Sequence, residues 1–376
     1  MKKLIVIGNG FDLHANLKSS FSDFFNASEK PIVESWLNRL SEKELGDLNL
    51  VSFLLYNSFY RENSFYRENG VDYRTLFRDE YHKAFGLAER LVDWMDVEGF
   101  LDALLRSKSI TKLIACYENI MIDRSFLHFG NPDRGCICRD DELPLFFAQA
   151  INLRQYPSSS FYDFLYQELK LFEKRFADYL RTQLNNAPQD YQSKVERMFA
   201  KLSQPNTNHY LIVMNFNYTS IGDRTLLNEF NVHGSLKNDI IIGIDDGNGL
   251  GEGAYQFTKT FRKLICPDCN TVLEDQISEI VIYGHSLGKQ DYSYFQSVFD
   301  YANIYNSKTK VKFVYSDDYI EGDAHAKNLH RIRMAKKLFA LMKSYDDTLK
   351  EKDSGRNLIH KMILEGRLSI ELDNFD

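Results

Sequence analysis

The first fourteen residues, MKKLIVIGNGFDLH, limit the fold more than any other stretch of the chain. Leu4 to Ile7 is an apolar, β-branched run with no polar interruption, the pattern of a strand buried on both faces in a parallel sheet. Gly8-Asn9-Gly10 breaks it at once. Two glycines around an Asn permit a tight turn and a close backbone approach at the strand's carboxyl end. A strand, a Gly-rich turn and a helix open doubly wound α/β domains, whose ligands lie in the crevice outside the strand ends. The dinucleotide fingerprint is incomplete, because G-x-G is followed by Phe11 and Asp12. The turn therefore admits two readings: it contacts a phosphate, or it only closes a strand.

The 376 residues can bury one large core or two moderate ones, and the length leans toward two domains. Hydrophobic content of 44% against 26% charged residues predicts a soluble globule. The net charge of -7 argues against a broad nucleic-acid surface. No apolar run reaches the length of a membrane span, and the opening apolar run is too short for a signal peptide. Five cysteines (Cys116, Cys136, Cys138, Cys266, Cys269) suit reduced thiols in the cytoplasm. The 28 Phe and 22 Tyr residues are expected as core or interface material, with self-association as one outlet.

From about residue 35 to 205 apolar residues recur at three and four, the helical period, as in SSFYDFLYQELKLFEKRFADYLRTQLNNA and YQSKVERMFAKL. So long a helical stretch is not one crossover between strands. It reads as a helical domain, 35–205, inserted into a sheet domain formed by 1–34 and 206–376. Within it NSFYRE occurs twice in tandem, at 57–62 and 63–68, as a duplicated surface segment or a cover for the cleft. Ahead of it, DLHANLKSS begins a helix at Asp12, and Ser20 or Ser22 caps the next one. Strands return with Tyr210–Met214, EFNVHGS, DIIIGI (239–244), SEIVIYG and KVKFVY from Lys310. Helices close the chain at HAKNLHRIRMAKKLFALMKSYDDTLKE and LIHKMILEG. Most of these strands end in Gly, Asn, His, Ser or Asp, where open parallel sheets place their sites.

Each constellation has a chemical and a structural reading. GHSLG (284–288) matches the nucleophile elbow, with Ser286, then Asp317 or Asp318, then His325 or His330 in hydrolase order. Otherwise Gly284 and Ser286 shape a ligand-binding strand end. Cys266-Pro-Asp-Cys269 has knuckle spacing, but a four-thiolate zinc site would need Cys136 and Cys138 to converge on it, so unpaired thiols are the simpler expectation. His233, before Gly234, is an acid–base candidate or a satisfied structural histidine. Asn217 offers a donor and an acceptor for a water or a ribose hydroxyl. Asp12 and Asp291 orient these groups or cap helices.

Four segments together resemble the bacteriophage abortive-infection AbiH family: IVIGNGFDLHANLKSSFSDF, MNFNYTS (214–220), NVHGS (231–235) and IYGHSLGKQDYSYF (282–295). That resemblance implies a role in bacterial defence, in which infected cells cease to support phage growth. A more distant resemblance is to sirtuin-like domains, which bind NAD on a Rossmann-type fold. Their first turn looks like Gly8-Asn9-Gly10, their Asn strand end like Phe216-Asn217-Tyr218-Thr219, their catalytic His-Gly like His233-Gly234, and their adenosine-side segment like Gly284-His285-Ser286-Leu287. Two departures stand out. Thr219 occupies a position where the pattern expects an acid, and Phe11-Asp12 replaces a small residue and a Ser or Thr. The paired zinc motifs of true sirtuins are incomplete, which argues against protein deacylation.

The expected architecture is therefore an α/β, Rossmann-like (sirtuin-like) parallel sheet with a large inserted helical domain. The resemblance implies Asn217 and His233 as catalytic residues for cleavage of the nicotinamide–ribose bond. It implies Gly8, Asn9, Gly10, Asp12, Thr219, Gly234, Gly284, His285, Ser286 and Asp291 as contacts to NAD or a related nucleotide, with the pyrophosphate at the Gly8–Gly10 turn and the following helix N-terminus. No metal is expected. Two other readings compete: a nucleotide-binding sensor or scaffold answering to a phage or host protein, and a serine hydrolase using Ser286.

Overall fold

A computed structural model of the chain describes residues 2–38, 45–59, 96–107, 110–122, 142–154, 160–203, 211–221, 228–245, 250–265, 273, 276–318, 320, 323–351, 356–373 and 375. The chain divides into two compact units. One comprises Met1–Ser19, Arg181–Ile241 and Lys263–Asp376; the other comprises Ser20–Leu180 and Ile242–Arg262. The strands are β1 (Lys2–Ile7), β2 (Leu211–Asn215), β3 (Asn228–Asn231), β4 (Ile277–Tyr283), β5 (Lys310–Tyr315) and β6 (Leu368–Leu372). The α-helices are α1 (Gly10–His14), α2 (Phe21–Phe24), α3 (Lys30–Asn38), α4 (Leu50–Phe59), α5 (Val97–Arg106), α6 (Ile110–Ile122), α7 (Glu142–Arg154), α8 (Phe161–Asn185), α9 (Tyr191–Ser203), α10 (Lys259–Leu264), α11 (Tyr292–Tyr301), α12 (Ala324–Glu351) and α13 (Leu358–Leu364).

In the first unit all six strands form one sheet in the order β3-β2-β1-β4-β5-β6, and every pairing is parallel. The register sets Ile5 between Val213 and Val281, and Val6 between Met214 and Ile282. Successive side chains leave opposite faces. Leu4, Val6, Ile282 and Phe313 join a core with Phe295 and Phe299 of α11 and Leu341, Met342 and Tyr345 of α12. Ile5, Ile7, Val281 and Tyr283 join another with Phe11 of α1 and Val195, Met198 and Phe199 of α9. Both faces are covered, which is why the central strands read as unbroken apolar runs. The chain lays β2 and β3 on one side of β1, then β4 to β6 on the other. This order is that of doubly wound nucleotide-binding sheets, with its switch point between β1 and β4.

The second unit is helical and holds much of the aromatic content. Trp36, Phe53 and Phe146 cluster, with Phe53 and Phe146 stacked at 5.8 Å. Tyr117, Phe147, Phe161 and Phe164 form a second group, and Phe24, Phe172 and Phe176 a third. Buried charges here are paired, as burial demands. Arg262 forks onto both oxygens of Glu173, and Lys259 Nζ lies 2.7 Å from Glu98.

Three expectations need correction. Residues 239–244, buried from Ile240 onward, form no strand of the sheet; they make isolated bridges, Gly234 to Ile240 and Ile244 to Thr258. The first helix begins at Gly10, two residues ahead of Asp12, and gives way after His14 to the loop expected at the polar end of DLHANLKSS. Asn16 takes φ +67° and the Leu17 N–H returns to the Asp12 carbonyl, closing α1 after five residues. An edge strand, β6, follows the last helix where none was expected. Ser20, rather than Ser22, caps α2, in a capping box with Asp23. The NSFYRE duplication from residue 60 onward lies outside the described residues, as do Cys136, Cys138, Cys266 and Cys269.

Candidate functional site

Because the strands are parallel, their carboxyl ends lie along one edge of the sheet, and the polar motifs of the sequence collect there. At the switch point two glycine turns meet backbone to backbone. A Cβ on Gly8 would lie 2.6 Å from His285 Cα, one on Gly10 2.8 Å from Gly284 Cα, and one on Gly284 2.5 Å from the Phe11 nitrogen. The Gly8 N–H donates to the Tyr283 carbonyl (3.1 Å) and the Gly10 N–H to the Gly284 carbonyl (2.8 Å). Phe11 N–H donates to Gly8 O, and the Asn9 side-chain oxygen accepts from Ser19 Oγ at 2.6 Å. The Gly8 and Gly10 amides are thus engaged within the protein, and α1 is a single short turn carrying a carboxylate. Close packing against the turn after β4 accounts for both glycines without a phosphate.

Asp12 is buried, and it faces neither solvent nor its own backbone. Its carboxylate accepts from Thr219 Oγ1 at 2.5 Å and from the Tyr191 hydroxyl of α9 at 3.0 Å. Burial raises its pKa from 3.8 to about 6, against the lowering effect of these two hydrogen bonds. Asn215, fully buried at the end of β2, donates to the Thr219 carbonyl (2.7 Å) and to Glu229 (2.6 Å) and accepts the Asn217 N–H (2.8 Å). This fixes the 215–219 loop. Asn215 and Tyr191 are the supporting residues that sequence reasoning missed. Asn215 had a signal, a polar residue ending an apolar strand; Tyr191 looked like any residue of an amphipathic helix.

The Asp12 arrangement gives a prediction with a definite sign. The folded state holds its proton up to about pH 6, whereas the unfolded chain releases it near 3.8, so stability falls as pH rises across that window. Asp12→Asn keeps both hydroxyl partners, because each can donate or accept. Its stabilisation relative to wild type should grow from nothing near pH 4 to about 3 kcal/mol above pH 6. Urea unfolding at a series of pH values measures this directly.

On the other face of the sheet end, His233 and Asp291 meet although 58 residues separate them: His233 Nε2 lies 3.2 Å from Asp291 Oδ1. His285 Nε2 lies 3.4 Å from the second oxygen, Oδ2. All three are buried. Asp291 occupies the N-cap position of α11, yet its side chain caps nothing there. Gly234 has φ +69°, and a Cβ would meet the Asp239 carbonyl at 2.1 Å, so the turn after His233 needs glycine. The Ile241 N–H binds the His233 carbonyl at 2.7 Å. The rings of Phe216 and Tyr218 flank His233 at 5.5 and 5.8 Å. Between those two residues in the chain sits Asn217, only 3% exposed. Neither its Nδ2 nor its Oδ1 has a hydrogen-bond partner among the described residues.

Ser286 lacks the geometry of a nucleophile elbow. The left-handed residues of its segment are Gly284 and Leu287, not Ser286, and α11 starts only at Tyr292. His325 is exposed, and His330 Nε2 engages the Ser316 carbonyl at 3.1 Å. Asp317 pairs with Lys327, and Asp318 with Ser316. No triad is assembled on Ser286 among the described residues.

Residues 4–315 match the family model described as bacteriophage abortive infection AbiH. The chain belongs to the AbiH family. That match spans β1 to β5 and therefore every residue of the cluster just described. No curated protein and no solved structure matches the chain. AbiH membership gives the protein its general role, abortive infection as a defence against phage. Among the described residues of this AbiH protein, no helix is long and apolar enough to cross a membrane.

Proposed function

We propose that this AbiH protein binds NAD or a closely related dinucleotide on a sirtuin-like, Rossmann-type core and hydrolyses the nicotinamide–ribose bond. The observation that carries the proposal is Asn217. A buried amide with both polar atoms unpartnered costs about 1–3 kcal/mol for each group left unsatisfied. Such a cost is tolerated where a ligand supplies the missing partners. A ribose hydroxyl or an attacking water offers both a donor and an acceptor.

Two further observations support the sirtuin-like reading. The chain departs from that pattern by carrying Asp12 where a Ser or Thr is expected and Thr219 where an acid is expected. The two side chains are hydrogen-bonded to each other at 2.5 Å. The two departures therefore meet in this chain as one carboxylate–hydroxyl pair. The second observation is the strand order, which brings the Gly8, Asn217, His233 and Gly284 segments to one edge of the sheet.

In the reaction the C1′–N1 bond breaks and nicotinamide leaves with the bonding electrons. Water adds to C1′ and loses a proton, giving ADP-ribose. Asp291, accepting the Nε2 proton of neutral His233, assigns the ring's lone pair to Nδ1, which takes a proton from the water or a ribose hydroxyl. Asn217 positions that hydroxyl or water. Gly8 and Gly10, their N–H groups engaged, shape the floor of the crevice rather than donate to the pyrophosphate.

The test is nicotinamide release from NAD by purified protein, with NAD binding measured in parallel. Asn217→Ala is expected to lower release about tenfold to a hundredfold and His233→Ala about 10²–10⁴-fold. Binding without turnover would leave the sensor or scaffold reading. Neither binding nor release would remove the nucleotide altogether.

A further inference from the structure

Resting on the reading above, we infer that His285 is a positioning residue, acting on His233 through Asp291, rather than a nucleotide contact. The Leu287 N–H donates to His285 Nδ1 at 2.8 Å, and Leu287 adopts φ +53° in making that turn. An imidazole nitrogen that accepts a hydrogen bond holds a lone pair, so the neutral ring carries its proton on Nε2. That nitrogen faces Asp291 Oδ2 at 3.4 Å.

The ring is held in that orientation. Phe216 lies against it at 4.3 Å and Phe295 at 5.2 Å, both nearly perpendicular to it, and these two rings stack on each other. His285 is buried. The same proton leaves Nε2 without a lone pair for a metal. Asp291 therefore receives one imidazole donor on each oxygen, His285 on Oδ2 and His233 on Oδ1. With Oδ2 fixed, the direction of Oδ1 is fixed too, and His233 is kept in its Nε2–H tautomer. The chain of dependence runs from the Leu287 amide through His285 and Asp291 to His233.

Two substitutions separate the two ends of the ring. His285→Asn keeps a side-chain oxygen for the Leu287 N–H but does not reach Asp291. His285→Gln places an amide N–H at the reach of Nε2 and restores the donor. Imidazole ¹⁵N spectra of the histidine-labelled full chain should show His285 as the neutral Nε2–H tautomer. In His285→Asn the His233 signal should move toward the Nδ1–H form, and in His285→Gln it should return. Nicotinamide release should follow the spectra, with kcat down about tenfold to a hundredfold in His285→Asn, KM little changed, and substantial recovery in His285→Gln. An Nδ1–H or imidazolium His285 in the wild type overturns the inference, and that measurement needs no variant. It also fails if the His233 tautomer is the same in wild type and His285→Asn, or if His285→Gln behaves like His285→Asn. Spectra as expected with no nicotinamide release would uphold the positioning role and reject NAD hydrolysis.

Discussion

Asp291→Asn is expected to lower nicotinamide release about 10³–10⁴-fold while leaving the fold in place. The substituted side chain offers one oxygen and one amino group to two imidazoles that both donate. His285 cannot change its proton, because the Leu287 N–H occupies its other nitrogen. The new amide oxygen must then turn to His285 and its amino group to His233. Facing a donor, His233 moves its own proton to Nδ1, and the lone pair needed for catalysis points at the introduced amide instead of at substrate. Stability should change little, since Asp291 does not cap α11. Steady-state release, with circular dichroism and thermal melts as controls, makes the comparison. Activity within a few-fold of wild type would show that Asp291 does not set the state of His233.

How much of this was legible in the sequence depends on what kind of contact was involved. Central strands buried on both faces leave an apolar run, unbroken over Leu4–Ile7, Leu211–Met214 and Ile280–Tyr283, so β1, β2 and β4 announce themselves, and β5 does so through Phe313–Tyr315. The same signal misleads at 239–244, because one-letter hydrophobicity reports burial and not pairing; Ile240 and Ile242 are buried without a ladder. Edge strand β6, LSIEL, is only half apolar and lies behind a helix and Gly366, so nothing in it rises above a loop. Asn217, His233 and Asp291 were legible one at a time as polar residues at strand or helix ends. Their grouping stood only as one of two readings, Asp291 orienting His233 or capping a helix, since the two reach each other only through the order in which the strands are laid down.

Side-chain roles were less legible than positions. Asp12 beside a glycine turn suggests a ligand contact, whereas its actual partners are hydroxyls of Thr219 and Tyr191, some two hundred residues away in sequence. His285 within G-x-S-x-G draws attention to Ser286, yet it is the histidine that joins the polar cluster. The glycines illustrate the point most sharply. A G-x-G turn invites a phosphate, but Gly8 and Gly10 are required by the backbone of the turn after β4 passing within contact distance.

That contact leads to the largest expected effect on stability. Gly284→Ala should destabilise the protein by about 3–5 kcal/mol, enough to unfold a marginal domain. Two costs combine. Gly284 has φ +66°, which costs an alanine about 1–2 kcal/mol. In addition its Cβ would sit 2.5 Å from the Phe11 nitrogen and 2.8 Å from the Gly10 carbonyl carbon. These are backbone atoms, which cannot swing aside as a side-chain end would, so the turns after β1 and β4 must part. Gly366 supplies the control. It has nearly the same backbone, φ +64°, but a Cβ there would meet nothing within 4 Å. Gly366→Ala should therefore carry the conformational cost alone, about 1–2 kcal/mol. Urea unfolding of the two variants separates the terms, and equal losses would mean that the approach of the two turns is not what holds the switch point. A larger loss at Gly284, with Gly366→Ala retaining full nicotinamide release, would tie the opening G-x-G to the geometry of His285, the next residue along β4's turn.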